Sequence, residues 1–259
     1  MRNIFLVTCH PEPRSLNGAL AAHAVAVLEG LGHRVVQSDL YAMGWKAVVD
    51  GADFPAEPAG ARLQPGQASR RATEGGSLTA DVAAEQAKLL AADAVIFQFP
   101  LWWFGLPAML KGWFDRVFSN GFAYGLTAPG ARYSLRYGAG RLKGRRALLS
   151  VTSGGLAPHF SERGVNGGLE DLLFPVTHGT LFYTGMDVLP LFAVHGANRL
   201  PDEQFEAARQ AMKIRLEALF DTTPIAFRAQ NGGDYGDDLQ LLPGVADEPS
   251  GLARHRRRD

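Results

Sequence analysis

The stretch NIFLVTCHPEPRSLNGALAAHAVAVLEGLGHRVVQSD, residues 3–39, decides the fold class. Residues 3–9 are a short, nearly continuous apolar run, the pattern of a strand buried on both faces. His10-Pro11-Glu12-Pro13-Arg14 interrupts that run. Ser15 then suits the N-cap of an Ala/Leu-rich helix running to about Leu31, with Gly32 placed to stop it. Residues 33–39 read as a second strand. Strand, helix and strand in this order make a β-α-β unit, which joins parallel strands by a right-handed crossover.

The alternation continues outward from there. Residues 79–92 predict a helix, 94–99 a third strand and 108–118 a helix. Residues 145–152 predict a fourth strand, 168–174 a short helix and 187–194 a fifth strand. The amphipathic segment 201–220 begins with proline and carries acids in its first turn, as the helix dipole favours. The pattern spells an α/β fold, a doubly wound five-stranded parallel sheet of flavodoxin-like order with helices on both faces. Residues 41–78, rich in Gly, Pro, Ala and Arg, show no sustained period, which marks a functional or a disordered stretch. Residues 1–224 read as one domain without internal repeats. Residues 225–259 read as a C-terminal arm, docked but frayed at its Arg254–Arg258 tip.

Composition narrows the function. The chain has 259 residues, 26 basic and 26 acidic side chains, zero formal net charge and one cysteine. A lone Cys9 excludes a disulfide scaffold or a thiolate metal cluster, and at a strand end it needs no redox role. Balanced charge argues against a nucleic-acid binder held by phosphate contacts. No apolar run reaches the ~18–20 residues of a membrane helix, and the N-terminal apolar run is too short for a signal peptide. The expectation is a cytoplasmic enzyme.

Ligands of an open parallel sheet bind outside the carboxyl ends of its strands, and three segments arrive there. The turn from Cys9 to Ala19 offers amides and a hydroxyl at a helix N-terminus, which suit a phosphate. It lacks the glycine pattern of a dinucleotide fold and the Gly-Lys-Ser/Thr of a P-loop, so an ordinary capped turn reads equally well. Residues 99–107, FPLWWFGLP, set Trp102, Trp103 and Phe104 between prolines at the end of a buried strand. They are a hydrophobic plug or subunit contact, or a platform for a planar heteroaromatic ring. In Thr152-Ser153-Gly154-Gly155 the adjacent glycines either form a plain turn or let backbone N–H groups approach a ligand. Together the three describe a flavin site.

Residues 95–117 read VIFQFPLWWFGLPAMLKGWFDRV, with HPEPRSLNG at 10–18, SDLY at 38–41 and GFAY at 121–124. LSVTSGG at 149–155, GVNG at 164–167 and HGTL at 178–181 follow in the same order. From about residue 3 to residue 220 the chain resembles the NAD(P)H:quinone oxidoreductases of the flavodoxin-like superfamily, the mammalian quinone reductase group and its bacterial relatives. The resemblance implies FAD, rather than FMN, at the interface of a homodimer. It implies two-electron hydride transfer from NAD(P)H to the flavin and then to a small-molecule quinone, in a ping-pong cycle. His10, Ser15, Leu16, Asn17 and Ala19 would hold the pyrophosphate and ribityl part. Pro100, Leu101, Trp102, Trp103 and Phe104 would line the isoalloxazine, and Thr152, Ser153, Gly154 and Gly155 would bind its pyrimidine edge. Glu203 is the candidate adenine contact. Trp103, Phe104, Tyr124, Leu126, Phe160 and Tyr183 would meet nicotinamide and quinone.

The chain departs from the mammalian pattern at Trp102, usually a glutamine, over residues 126–144 and the long tail, and at the flavin edge. The tyrosine and histidine thought to relay charge at the flavin edge are replaced by Phe160 and Asn166, and phenylalanine has no hydroxyl. That leaves the amides of Gly154 and Gly155 as the main stabilisers of developing charge, with His159 a candidate acid or base. Some relatives hold a structural metal on two histidines four residues apart. Here His178 is followed by Phe182, so no metal is expected and His178 reads as a hydrogen-bonded structural residue. Two other readings compete: an FMN-dependent azo- or nitroreductase, and an ancillary subunit of a potassium-efflux system with the arginine tail as its contact.

Overall fold

The apolar run at the start of the chain forms strand β1 (Asn3–Thr8), and the computed structural model describes residues 1–257 apart from 59, 61 and 249. Helix α1 (Leu16–Gly30) follows, capped by Ser15 and closed by Gly32 at φ 78°. Next come β2 (Arg34–Asp39), α2 (Pro65–Gly75), α3 (Ala80–Ala91), β3 (Ala94–Pro100), α4 (Ala108–Val117) and β4 (Arg146–Thr152). Two short helical pieces, α5 (Leu169–Leu172) and α6 (Phe174–Val176), lead into a π-helical turn at Thr177–Phe182. The chain then adds β5 (Asp187–Val188), β6 (Phe192–Val194) and α7 (Asp202–Glu217).

All strands pair in parallel, in the order β2-β1-β3-β4-β5, with β6 also on β4. Successive side chains of a strand point to opposite faces. Accordingly Ile4, Leu6, Ile96 and Leu148 pack with the inner faces of α1 and α7, while Phe5, Val7, Phe97 and Leu149 pack with α3 and α4. This is the flavodoxin-like fold.

Two sequence expectations are corrected. The fifth strand is two strands, because Pro190 falls inside it and has no N–H to give the ladder. The first piece pairs with Arg146–Ala147 at the start of β4 and the second with Ser150–Thr152 at its end. The split delivers the residues after Val194 to the carboxyl edge. Residues 41–78 are also not structureless: they hold a short 3-10 turn at Gly51–Asp53 and the whole of α2. That helix starts at Pro65, stops at Gly76 (φ 67°) and buries only Ala68, Ser69 and Ala72, too narrow a stripe to show a period. Arg116 pins the region, pairing with Asp53 at 2.8 Å and Asp81 at 2.7 Å under the ring of Trp45.

The C-terminal arm docks by its backbone and by one aromatic side chain. Ile225 N–H donates to Val188 O at 2.7 Å, Gln230 N–H donates to Tyr137 O at 3.2 Å, and Phe227 is buried. Arg256 pairs with Glu170 and Arg257 with Asp234, both at 2.9 Å; Arg258 lies outside the described residues. Phe227 packs against His178, which is stacked between Tyr137 and Phe174. His178 is therefore held by ring stacking, and its Nε2 is buried without a hydrogen-bond partner, which corrects the expected hydrogen-bonded role. Burial, then the nearby His255 and Arg256, push its pKa down to about 4, so the ring is neutral. No helix among the described residues is long and apolar enough to cross a membrane.

Candidate functional site

The three segments meet at Thr152. Its hydroxyl accepts from Asn17 Nδ2 at 2.8 Å, and its carbonyl accepts from the Leu101 N–H at 2.7 Å. Asn17 Oδ1 in turn accepts from Gln98 Nε2 at 2.8 Å, and Gln98 Oε1 from Ser150 Oγ at 2.6 Å. All four side chains are buried. The chain of hydrogen bonds satisfies them while locking α1 to β3 and β4. The Asn17 side chain is thus tied into this network through Nδ2 and Oδ1.

In the first segment, Ser15 N–H donates to Glu12 O at 3.1 Å, and Ser15 Oγ accepts from Gly18 N–H at 3.2 Å. His10 Nδ1 lies 3.1 Å from both the N–H and the carbonyl of Glu12. A Cβ on Gly18 would lie 1.9 Å from Pro13 O, so the turn closes over the helix only because this residue is glycine. The N–H groups of Leu16 and Asn17 precede the first intrahelical bond. Among the described residues neither meets a protein acceptor, whereas the N–H of Ala19 is taken by Ser15 O at 2.9 Å.

The second segment is a tight turn in which Trp102 N–H donates to Gly105 O at 3.2 Å and Gly105 N–H to Trp102 O at 3.0 Å. Its two central residues, Trp103 and Phe104, sit at φ 48° and 58°. Asn-Gly or Gly usually occupies such positions, and each bulky residue there costs about 1–3 kcal/mol. Trp103 is 97% exposed and Phe104 47%, so core packing does not offset the strain. Strain of this kind collects at active sites and ligand clamps, which makes the turn a candidate site. The Trp102 ring lies 6.1 Å from that of His10, joining this segment to the first.

The third segment rests on β6. Ser153 N–H donates to Val194 O at 2.9 Å, and Gly155 O accepts from Gly196 N–H and Ser153 Oγ, each at 3.0 Å. With its one proton given to Gly155 O, Ser153 Oγ accepts from His195 Nδ1 at 2.8 Å. This assigns the proton of His195 to Nδ1 and leaves Nε2 as the basic nitrogen. Burial lowers the pKa of His195, and its ring stacks on Phe160 at 5.3 Å. A Cβ on Gly154 would meet Asn198 Nδ2, and one on Gly155 the Phe160 ring, each at 2.9 Å. Among the described residues the N–H groups of both glycines meet no protein acceptor.

The other predicted residues are spread around this edge. Tyr124 and Tyr183 share a cavity of about 670 Å³ with Leu106 and Phe118. Trp103, Phe104, Leu126 and Phe160 are not in its lining. His159 is exposed, with Nδ1 3.7 Å from where a Gly155 Cβ would lie, and its carbonyl accepts from Asn166 N–H at 3.0 Å. Glu203 is exposed in the first turn of α7, next to a groove of about 870 Å³ lined by Gly154, His195, Asn198, Pro201 and Gln204. Cys9 is buried, and burial pushes its thiol up to about 12, so it carries no thiolate. Among the described residues no group of three or more His, Cys, Asp or Glu could hold a metal ion. Sequence reasoning missed His195 and Gln98. His195 follows a strand at the ligand-binding edge, and Gln98 is the polar residue within AVIFQFP.

A family model described as flavodoxin-like fold matches residues 2–219. A ribosyldihydronicotinamide dehydrogenase-like protein of Penicillium crustosum is 49% identical over 257 residues, 98% of this chain and 95% of its own. NAD(P)H dehydrogenase (quinone) 1 of Rattus norvegicus is 38% identical over 228 residues, 88% of this chain and 81% of its own. The crystal structure of a proposed quinone reductase from Klebsiella pneumoniae, 49% identical, covers 99% of this chain and 100% of its own with a TM-score of 0.96. The chain belongs to the flavodoxin-like NAD(P)H:quinone oxidoreductase family. The ring of Phe160 stacks on that of His195.

Proposed function

We propose that the chain is an FAD-dependent NAD(P)H:quinone oxidoreductase working as a homodimer. The observation that carries this reading is the convergence on Thr152 of two pairs of unpartnered backbone N–H groups and a strained aromatic turn. That donor set fits a flavin. The amides of Leu16 and Asn17 would take its phosphates at the helix N-terminus, with Ser15 and His10 beside them. Pro100, Leu101, Trp102, Trp103 and Phe104 would line its ring, and Thr152, Ser153, Gly154 and Gly155 its polar edge. A bound flavin would supply two-electron hydride chemistry between NAD(P)H and a quinone, which leaves as the quinol after taking up a hydride and a proton, and the two substrates would use one site in turn.

The chain supplies binding, orientation and electrostatics. The Gly154 and Gly155 amides present two fixed dipoles to developing negative charge, as an oxyanion hole does. Ser153 and His195 hold that loop in place, and Asn166 braces His159 through its backbone. His159, exposed beside Gly155, is the side chain available to move a proton there. Tyr124 and Tyr183 would flank the quinone in the cavity that they share with Leu106 and Phe118. Trp103, Leu156 and Val165 are strongly exposed around the site, and a second copy of the chain would cover them and bring Phe104, Leu126 and Phe160 to the mouth. The groove beside Glu203 gives room for an adenosine half, which favours FAD over FMN.

Acid release and chromatography of the flavin, with a visible spectrum, test the cofactor. Steady-state turnover with NADH or NADPH and benzoquinone tests the reaction, with parallel double-reciprocal lines expected. Sedimentation equilibrium tests the dimer. A colourless protein that neither FAD nor FMN reconstitutes overturns the reading.

A further inference from the structure

Between the body of the chain and its C-terminal arm lies a cavity of about 170 Å³, with Arg136, Arg228, His178, His255, Tyr137 and Tyr235 in its wall. Gln230 and Leu239 complete the lining, and among the described residues no carboxylate belongs to it. The volume matches roughly five or six water molecules of bulk liquid, too small for a nucleotide. His178 stacks on Tyr137 at 4.8 Å and 26°, and Tyr235 lies parallel to His255 at 6.3 Å and 11°. Tyr235 Oη and His255 Nδ1 are 2.9 Å apart, which fixes that second pair.

The two guanidinium groups are not equivalent. Arg228 is paired with Asp234 at 2.9 Å. Half-buried Arg136 has its Nε on Gln230 Oε1 at 2.6 Å, and among the described residues no carboxylate pairs with it. Keeping a partly desolvated charge without a counter-ion is unfavourable unless an anion completes it. Two wall residues are also strained, Tyr137 at φ 46° and Leu239 at φ 64°, and such strain collects at ligand clamps.

We infer that this cavity is a binding site for a small planar carboxylate, whose charge pairs with Arg136 and whose flat body lies among the aromatic rings. A guanidinium presents two parallel donors to a carboxylate, and the tyrosine and histidine rings give a flat apolar body its contact surface. The site adjoins the cavity of about 670 Å³ without being part of it. Tyr137 N–H donates to Tyr183 O at 3.0 Å and the two rings meet edge-on at 5.0 Å, while Tyr183 lines that cavity. The inference does not depend on the proposed reaction.

The test is thermal unfolding of the purified full chain titrated with sodium benzoate, with benzamide and inorganic phosphate as comparisons. Benzoate is expected to raise Tm along a saturating curve, as a native-state ligand does, and neutral benzamide is expected not to. Arg136→Met should weaken benzoate about tenfold or more, and Arg136→Lys should keep part of the binding because it keeps the charge without the planar fork. If Arg136→Met does not fold, Gln230→Leu replaces it, with the same weakening expected. Four results would overturn the inference: no saturable shift up to about 20 mM benzoate, an undiminished shift in the variants, benzamide binding as well as benzoate, or phosphate binding as tightly as benzoate.

Discussion

Trp103 and Phe104 occupy backbone positions that almost any turn would give to asparagine and glycine. The double variant Trp103→Asn/Phe104→Gly is expected to raise stability by about 2–6 kcal/mol in urea unfolding, because it removes strain at both positions. Flavin affinity and turnover should fall at least about tenfold, the scale of losing one aromatic stacking partner or more. A variant no more stable than the parent would refute the strain argument. Cys9 makes a second prediction at this scale. With its thiol held near 12 by burial, it should stay unmodified by a disulfide reagent at mildly alkaline pH and react only as the protein unfolds. Rapid modification of the native protein would contradict that assignment.

Among the elements, those readable from sequence were the ones whose environment is uniform. The strands β1, β3 and β4 sit between two helical layers, so their apolar runs are continuous. Helix α2 was invisible because three small buried residues leave no apolar stripe. The apolar run 187–194 hides the break at Pro190, where a ladder cannot continue. The three ligand-facing segments could be named from residue type and position at strand ends. His195 could not, because its partner Ser153 is 42 residues away and the two meet only through the pairing of β6 with β4. The π-helical turn carries a prediction of its own. His178, in that turn, has a pKa near 4 when folded against a usual 6.5, so between those values the unfolded chain binds a proton that the folded chain does not. Its contribution is complete above pH 6.5 and falls by about 3 kcal/mol as pH drops to 4. His178→Phe, which keeps the stacking and loses the titration, should flatten the fall in stability over that window in urea unfolding. His195 and His255 shift in the same direction and leave a residual slope. An unchanged slope in the variant would refute the assignment.

For the whole molecule, the arm and the body form one packed unit through Phe227, which meets Phe174, His178 and Phe182. Phe227→Ala is expected to lower stability by about 3–5 kcal/mol and to raise hydrogen exchange across residues 225–257 more than across the sheet. A uniform increase over the chain would show that the arm has no separate hold. The bond from Asn17 to Thr152 has a further consequence, for the timing of synthesis. Asn17 is translated 135 residues before the hydroxyl that completes its hydrogen bonds. At about 5–20 residues per second, the first helix waits on the order of ten seconds for its anchor. The carboxyl edge of the sheet is therefore assembled late, when most of the chain has left the ribosome, although its first residues are among the earliest made.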